Sequence, residues 1–372
     1  MERTIGIDAR TIFTAELTGI GTYVLKLIRF LQNKGVRLTL FTTTASETPP
    51  DLNLSQITVA CAPGRQKIWE ARVLPRLLRE HPVDLYHATQ NFGIPKLACP
   101  TVLTLYDIIP LVLKGFYTNT FASKVEHVLY RYLVRQSVRR ADTIITISEA
   151  SKSDIVGFFP EARSKTVSIP LAADVPPDGA TLPELPGLQN SPYLLYFGGF
   201  ELRKNVELVL STYPDIRKRF PEVRLIMVGK KNQYYRDHLK QYENVPGIIF
   251  TDYLDRPSLD SLIARATAVL YPSRYEGFGL PILEAMRFGT PVVTSNVSAL
   301  PEVAHDAAEL IDPDSREQYI TAVTKILGDP SYRNELAQRG KQRASEYTWE
   351  KTFSATWDVY QQLLEQHDHG QR

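Results

Sequence analysis

The sequence LYPSRYEGFGLPILEAMRFGTPVV, residues 270–293, joins two short apolar segments through a glycine-rich loop and a helical pattern. The apolar run that ends at Tyr271 predicts a buried strand. Pro281 suits the first position of a helix, because an N–H at that position would have no intrahelical acceptor. Gly289, followed by a Thr-Pro pair, is a helix stop signal. The order strand, loop, helix, strand is typical of a parallel α/β sheet.

The glycine-rich loop leads into the N-terminus of this helix and predicts an anion site there. Backbone N–H groups at Phe278, Gly279 and Leu280 should lack intrahelical acceptors and can bind a phosphate. Glu276 on the loop and Glu284, expected in the first helical turn, would repel an anion. Carboxylates are instead good acceptors for the vicinal hydroxyls of a sugar. We therefore expect a ligand with both a phosphate and a polyol; the alternative is a plain crossover with a capping glutamate.

The segment EGFGLPILE, residues 276–284, resembles the E-x7-E motif of retaining glycosyltransferases with the GT-B fold, in particular family 4. Further segments fit the same family, closely in the C-terminal half and more loosely in the N-terminal half: residues 193–205, 225–229, 300–304, 6–10 and 19–23. The resemblance implies an α/β fold with two doubly wound, Rossmann-like domains that face each other across a cleft. It also implies a C-terminal helix that crosses back to the first domain.

The domain boundaries are predicted from a change in pattern near the middle of the chain. Short apolar runs alternate with helical patterns on both sides of a proline-rich segment that has neither period. We expect an N-terminal acceptor-binding domain in residues 1–170, a linker in 171–191 and a nucleotide-sugar-binding domain in 192–348. Residues 349–372 should form the crossover helix, to about Leu364, and a disordered tail.

Composition narrows the class of protein further. The 372 residues suit about two domains, and 43% hydrophobic with 23% charged residues is ordinary for a globular protein. A net charge of +2 gives no signature of nucleic-acid binding. Cys61 and Cys99 match no metal spacing, and the N-terminus reads as a strand, not a signal peptide. We expect a cytoplasmic protein with reduced thiols, in contact with the inner face of the cell membrane at most peripherally.

Two adjacent cations, Arg203 and Lys204, follow a glycine turn and by the resemblance take the diphosphate. A solvated first helical turn is the alternative. Many relatives have an arginine where Gly199 stands here, and Arg203 could replace that contact. Positioned cations can neutralise a diphosphate leaving group without Mg²⁺, so we predict metal-independent transfer. Asp312 and Asp314 superficially resemble a metal-binding D-x-D motif but are predicted to form a turn.

Candidates in the N-terminal half rest mainly on the resemblance. Gly19 and Gly21 precede the first helix; the implied role is to lie under the donor phosphates, and the alternative is a flexible lead-in. Tyr106 and Asp107 end a strand where relatives usually have His-Asp, with the histidine against the transferred sugar. Tyrosine can donate a hydrogen bond there but is a poorer proton carrier near neutral pH. His87 is either a further site candidate or a satisfied loop histidine.

Basic residues gather on two predicted helices of the first half. Apolar side chains at 69, 77, 130 and 133 lie near them in sequence. Such clusters predict peripheral contact with an anionic membrane, and the alternative is ordinary solvated helix faces. The basic residues are Lys67, Arg72, Arg76, Arg79, Arg131, Arg135, Arg139 and Arg140.

The resemblance as a whole implies transfer of a hexose, with retention, from a nucleoside-diphosphate sugar. Glu284 would hold the ribose hydroxyls and Glu276 the sugar hydroxyls. UDP-glucose is the first choice of donor and GDP-mannose the second, and the acceptor is expected to be a polysaccharide or lipid-linked glycan. No further cofactor and no nucleic-acid partner are expected. The alternatives are an epimerase or phosphorylase of the same fold, and a non-catalytic sugar-nucleotide-binding protein.

Overall fold

The computed structural model describes residues 3–14, 17–45, 52, 55, 57–64, 68–113, 121–174 and 191–370. The chain forms two compact units: Met1–Pro170 together with Trp349–Arg372, and Leu171–Thr348. Most of the predicted linker, residues 175–190, lies outside the described part of the chain. The assignment of acceptor and donor to the two units stays a prediction.

The first unit contains a parallel sheet of seven strands in the order β3-β2-β1-β4-β5-β6-β7. Its central strands are buried along their whole length, as expected where helices cover both faces of a parallel sheet. The strands are β1 Thr4–Asp8, β2 Arg37–Thr42, β3 Ile57–Cys61, β4 Leu85–Ala88, β5 Thr101–Thr104, β6 Thr143–Thr146 and β7 Thr166–Ser168.

In the described ranges of the first unit, five helices lie between these strands. The first is capped by Thr18, whose Oγ1 accepts a hydrogen bond from the Gly21 N–H at 3.2 Å. A π-helical turn, Trp69–Val73, precedes the second. The helices are α1 Gly19–Asn33, α2 Leu74–Glu80, α3 Ile109–Val112, α4 Phe121–Arg140 and α5 Glu149–Phe158.

The second unit contains a parallel sheet of six strands in the order β10-β9-β8-β11-β12-β13. Its strands are β8 Tyr193–Phe197, β9 Arg224–Val228, β10 Ile248–Thr251, β11 Ala268–Tyr271, β12 Val292–Ser295 and β13 Glu309–Ile311. Its helices are α6 Val206–Arg219, α7 Arg256–Arg265, α8 Leu280–Phe288, α9 Leu300–Ala304, α10 Arg316–Gly328 and α11 Pro330–Ser345. The predicted stop signal after α8 is confirmed, because Gly289 adopts the left-handed conformation with φ +75°.

The last helix, α12 Trp349–Gly370, belongs to the first unit. The Thr352 hydroxyl donates to the Pro170 carbonyl at 2.7 Å, and Phe353 packs on Tyr23. The helix continues past the predicted end near Leu364, so the disorder expected for the tail from His367 is wrong as far as Gly370. Asp368 in this part of the helix pairs with Arg3. Two doubly wound sheets with a C-terminal helix returned to the first are the GT-B elements that the resemblance implied.

No helix in the described ranges is long and apolar enough to cross a bilayer. Cys61 and Cys99 are both free thiols.

Candidate functional site

The strand order of the second sheet reverses between β8 and β11, which are direct neighbours. In a doubly wound sheet, ligands bind beyond the carboxyl ends of the strands at such a switch point. The chain segment after β8 carries Arg203 and Lys204, and the segment after β11 carries Glu276. The fold therefore brings the predicted cations and one predicted carboxylate to the same edge of the sheet.

Glu276 is the centre of a buried polar cluster and is only 8% exposed. Its Oε1 accepts hydrogen bonds from Lys204 Nζ at 2.6 Å and from the Tyr271 hydroxyl at 2.8 Å. Its Oε2 accepts from Arg203 Nη1 at 2.7 Å. Charge-assisted bonds of this kind contribute about 1.5–3 kcal/mol each. The three donors fix both oxygens of the carboxylate.

The two cations are held by a tight turn before α6. They lie on a single 3₁₀ turn, Leu202–Lys204, which ends at Asn205 in the left-handed conformation with φ +55°. The Asn205 side chain is fixed in turn, because its Nδ2 donates to the Pro313 carbonyl at 2.8 Å. Lys204 is 8% exposed, so the alternative of a solvated first helical turn is wrong.

Gly199 lies on the exposed turn before these cations, and its carbonyl accepts from the Tyr196 hydroxyl at 2.8 Å. A Cβ added at Gly199 would lie 2.9 Å from Oε1 of Glu201. Glu201 pairs with Arg203 Nε at 2.9 Å. A larger residue at 199 would therefore have to displace the Glu201 side chain. Glycine at this position allows Glu201 to keep its ion pair with Arg203.

The loop after β11 is shaped for a close approach to the start of α8. The Glu276 N–H donates to Ser298 Oγ at 3.0 Å. Gly279 is the N-cap residue of α8 and makes no side-chain hydrogen bond there. Its φ is +121°, which residues with a side chain rarely adopt. The first N–H groups of a helix have no intrahelical acceptors, so those that follow Phe278 remain suited to an anion.

Glu284 lies in the second turn of α8, not in the first as predicted, because the helix begins at Leu280 and Glu284 is its fifth residue. Its Oε1 accepts from Arg256 Nη1 at 2.6 Å. Burial raises the pKa of Glu284, and Arg256 only partly opposes the shift. The two carboxylates of the motif are thus paired with different cations.

The electrostatics of the buried cluster favour the charged form of Glu276. Burial opposes ionisation of Glu276, but Lys204 and Arg203 outweigh it and hold the pKa of Glu276 below its usual value. Burial lowers the pKa of Lys204, which Glu276 only partly offsets. Burial also raises the pKa of Tyr271 well above its usual value, so its phenol stays protonated and can donate.

In the first unit, Gly19 and Gly21 lie in the first turn of α1. Space around Gly19 is open, whereas a Cβ at Gly21 would lie 2.6 Å from the Thr11 carbonyl oxygen. Gly21 therefore permits the loop after β1 to pack against α1.

Tyr106 and Asp107 follow β5, and both have partners inside the first unit. The Tyr106 hydroxyl donates to the Thr89 carbonyl at 3.0 Å, and burial raises its pKa well above the usual value. Asp107 Oδ1 accepts from the Ile109 N–H at 3.1 Å at the start of α3. Tyr106 thus has an internal acceptor and is 6% exposed.

His87 is a core residue of β4, and its placement at the ligand site is wrong. Its Nε2 lies 2.7 Å from Thr104 Oγ1, its Nδ1 contacts Tyr360, and the ring is 0% exposed. Burial lowers the pKa of His87 to about 3. The imidazole is therefore neutral at physiological pH.

A second buried charge cluster lies at the carboxyl end of β1, the switch point of the first sheet. Arg10 pairs with Asp8 at 2.6 Å and with Glu70 at 2.9 Å, and its guanidinium lies 4.6 Å from the centre of the Trp69 ring. The segment GIDAR contained Asp8 and Arg10, but nothing in the sequence indicated Glu70 as their partner. Tyr271 and Arg256 in the second unit were missed in the same way.

The surroundings of the basic residues differ from those that were predicted. Trp69 and Leu77 are buried, and Lys67 lies outside the described residues. Arg135 and Arg139 both pair with Glu161. The exposed apolar side chains near these cations are instead Ile68, before the π-helical turn, and Val125, Val128 and Tyr132 on α4.

Asp312 and Asp314 form the predicted turn, in which Oδ1 of Asp312 accepts from the Asp314 N–H at 2.9 Å. In the part of the chain that the structure describes, no three acidic, histidine or cysteine side chains are grouped to hold a metal ion.

Comparison with known proteins identifies the family. Residues 183–343 match the family described as "Glycosyl transferases group 1", and residues 17–175 match "Glycosyltransferase Family 4". O-antigen chain mannosyltransferase B of Escherichia coli is 31% identical over 296 residues, which are 77% of this chain and 76% of that protein. The chain is a group 1, family 4 glycosyltransferase. It thus belongs to a retaining family with the GT-B fold, as the E-x7-E segment indicated.

Other matches of this family 4 glycosyltransferase are more distant. Glycogen synthase of Mycobacterium tuberculosis H37Rv is 30% identical over 253 residues, 66% of this chain and 59% of that protein. Sucrose-phosphate synthase from Thermosynechococcus elongatus has the same fold, with a TM-score of 0.75 at 19% identity, covering 98% and 99% of the two chains. So does Anabaena HepE, solved with UDP-glucose, with a TM-score of 0.74 at 16% identity, covering 97% and 100%.

Proposed function

We propose that this chain transfers a hexose, with retention, from a nucleoside-diphosphate sugar to a hydroxyl group of a glycan. The observation that carries the proposal is the buried cluster of Glu276, Lys204 and Arg203 at the switch point of the second sheet. Two cations and a carboxylate beside the start of a helix suit a ligand that combines a diphosphate with a polyol.

Each part of the donor has a partner in this proposal. Lys204 and Arg203 bind the diphosphate together with N–H groups at the start of α8. Glu276 accepts from hydroxyls of the sugar. Glu284 accepts from the ribose, in exchange for or beside its bond to Arg256. In the structure the cations pair with Glu276, so the charges that receive the donor are already ordered.

The proposed chemical step is that of a retaining transfer and is compatible with these positions. The bond between the anomeric carbon and the diphosphate oxygen breaks, and the acceptor oxygen bonds to the same face of the sugar. The acceptor proton passes to an oxygen of the leaving phosphate. Lys204 and Arg203 stabilise the charge that develops on the diphosphate, and they act in a buried site where such stabilisation is strong. Transfer by this route needs no metal ion.

We assign Tyr106 and Asp107 to shaping the loop after β5, not to proton transfer. The Tyr106 hydroxyl already donates to the Thr89 carbonyl, and Asp107 accepts from the Ile109 N–H at the start of α3. The departure from the usual histidine at 106 is compatible with activity if the leaving phosphate is the base.

For the donor we place GDP-mannose ahead of UDP-glucose, which reverses the order that the family resemblance suggested. The relative with 31% identity is a mannosyltransferase, and an MMP alpha-(1->4)-mannosyltransferase of Mycolicibacterium hassiacum is 27% identical over 240 residues. The name of the first relative, which refers to an O-antigen chain, supports a polysaccharide acceptor.

The experiment is a donor panel of GDP- and UDP-hexoses, read first by binding and then by transfer to oligosaccharide acceptors. Glu276→Ala and Lys204→Ala should each lower transfer by about 100-fold or more, the size seen when a stabilising group is removed from such a site. Lys218→Ala is the matched control, because Lys218 is exposed in the same unit. Tight donor binding without turnover would favour the non-catalytic binding protein. Absence of binding to every nucleotide sugar would refute the proposal.

We also propose that the first unit contacts an anionic membrane through one face of α4. Val128 is 66% and Tyr132 58% exposed on this helix, and Val125 is 48% exposed. Positions 125, 128 and 132 share a helical face with the exposed Lys124 and Arg131. Apolar side chains between cations are typical of a helix that lies in a membrane interface.

Co-sedimentation with vesicles at low salt tests this contact. Binding to vesicles with anionic lipid, weakened by the double change Val128→Ser and Tyr132→Ser, is the expected result. Tyr253→Ser is the control, since Tyr253 is 71% exposed but lies in the second unit. Equal sedimentation with and without anionic vesicles would show that the α4 face is merely solvated.

A further inference from the structure

Tyr271 belongs to the buried cluster around Glu276, and hydrophobic packing alone does not account for its hydroxyl group. It ends β11 and is 1% exposed. Its hydroxyl donates to Glu276 Oε1 at 2.8 Å and accepts from Lys204 Nζ at 2.5 Å. The Lys204 ammonium also lies 4.7 Å from the centre of the Tyr271 ring. One side chain thus contacts both the acid and the cation of the candidate donor site.

A phenylalanine would fill the same volume without the hydroxyl. It would leave a buried carboxylate with one donor fewer and a buried ammonium with one acceptor fewer, and unsatisfied buried charges are costly. The hydroxyl is therefore best explained by the two charged groups that it joins.

The contact becomes more important when a diphosphate arrives. In the structure Glu276 Oε1 has two donors, Lys204 and Tyr271. A Lys204 ammonium that turns to a phosphate leaves the Tyr271 hydroxyl as the remaining donor to this oxygen, while Arg203 retains the other oxygen. Without Tyr271, Oε1 would lose its orientation at the step where it must accept from the sugar.

We propose that Tyr271 is a positioning residue of the donor site, which holds Glu276 in place while Lys204 moves to the diphosphate. This inference rests on the proposed function, because it assigns Glu276 to the sugar and Lys204 to the phosphates. Tyr271 acts through these two residues and does not itself contact the reacting atoms.

The charges around Glu276 define a readout. Hydrogen bonding from Tyr271 lowers the pKa of Glu276, so loss of the hydroxyl should raise it. Groups on β8 and on the turn after it also surround this carboxylate and remain in place in the variant: Tyr196, Arg203 and Lys204, with Glu201 paired to Arg203.

The test compares Tyr271→Phe with Tyr213→Phe. Tyr213 is a matched control, because it is also buried in the second unit and its hydroxyl donates to the Val223 carbonyl at 2.8 Å, on another element. In the free protein, the Glu276 carboxyl carbon is titrated by ¹³C NMR and assigned with Glu276→Gln. We expect the midpoint to rise by about one pH unit in Tyr271→Phe only, the size of a single hydrogen-bond contribution.

The same variants are then assayed for transfer across pH. We expect Tyr271→Phe to lower kcat by roughly 10-fold, with a smaller change in donor KM and an acid limb moved to higher pH. An unchanged Glu276 titration, an unchanged acid limb, or equal changes in Tyr213→Phe would overturn the inference. Melting curves of both variants measure their loss of stability. Only changes in kcat or pH profile that exceed those of Tyr213→Phe are attributed to the Tyr271 hydroxyl.

The two proposals fail in different ways. If the wild-type chain binds no nucleotide sugar, the proposed function is wrong and the donor-positioning role falls with it. If the wild-type chain transfers sugar but Tyr271→Phe matches Tyr213→Phe in titration and pH profile, only the assignment of Tyr271 is wrong.

Discussion

The phenolic oxygen of Tyr360 lies 2.5 Å from Nδ1 of His87, although 273 residues separate the two in sequence. The other ring nitrogen of His87 lies 2.7 Å from Thr104 Oγ1. The imidazole therefore joins the C-terminal helix to β4 and β5 of the first sheet. All three side chains are buried, so this junction is part of the core of the first unit.

Tyr360→Ala should destabilise the first unit by about 3–5 kcal/mol, as expected when a large buried ring is removed. Tyr360→Phe should cost only about 1–2 kcal/mol, since it removes the hydrogen bond but keeps the packing. Urea unfolding followed by circular dichroism measures both. Equal costs for the two variants would mean that the ring contributes little packing.

The first unit should lose stability as the pH falls. Because burial lowers the pKa of His87 to about 3 in the folded chain, unfolding below pH 6.5 takes up a proton on this ring. The stabilisation is present above the unfolded pKa and declines toward the folded one, by about 1.4 kcal/mol per pH unit. His87→Gln should reduce this slope in urea unfolding between pH 6 and 4. A slope unaltered by His87→Gln but reduced by a change at the exposed His238 would contradict the prediction.

Gly279→Ala should impair donor binding as well as stability. With φ +121° and an added Cβ 3.1 Å from Leu300 Cδ2, the substitution should cost about 1–3 kcal/mol and shift the start of α8. Gly289→Ala is the control, because it strains the opposite end of the same helix at φ +75°. Calorimetric titration with the donor should show weaker binding for the first variant only. Similar losses in both would indicate a general effect on the fold.

Transfer should persist in excess EDTA. The diphosphate charge is neutralised in our proposal by the buried Lys204 and the part-buried Arg203, which both pair with Glu276. The rate with EDTA is compared with the rate after Mn²⁺ is added back. Complete loss in EDTA that Mn²⁺ restores would show that the cations are insufficient.

The region around α8 could be predicted from the sequence because its signals act over short distances. Pro281 and Gly289 determine the backbone conformation within a few residues of themselves. Gly289 follows the helix as expected, and Pro281 is its second residue, not its first as predicted. Glu284 was assigned to the wrong turn because α8 begins one residue before Pro281. The conformation of Gly279 determines where α8 begins, and no pattern of apolar and polar residues in the sequence predicts that conformation.

Two edge strands of the first sheet had no detectable sequence signal. β3 and β7 form the two ends of the strand order, and each is only partly buried. They therefore lack the continuous apolar run by which the central strands were recognised.

Partners of buried charges were the least predictable part of the candidate site. Glu276 and Lys204 are 72 residues apart, and only the family resemblance suggested a common ligand. Arg256 beside Glu284 and Glu70 beside Arg10 are likewise brought together by tertiary packing. No periodicity or local motif encodes such pairs, since each depends on the path of a whole sheet.

The return of α12 to the first unit has a consequence for the order in which the protein is made. The ribosome synthesises every strand of the first sheet before residue 170, yet Tyr360 follows the whole second unit. The nascent first unit therefore stays incomplete while the second unit is synthesised and can fold from its own residues. During that time His87 has no contact with the phenol of Tyr360. The half of the molecule that emerges first is the half that is completed last.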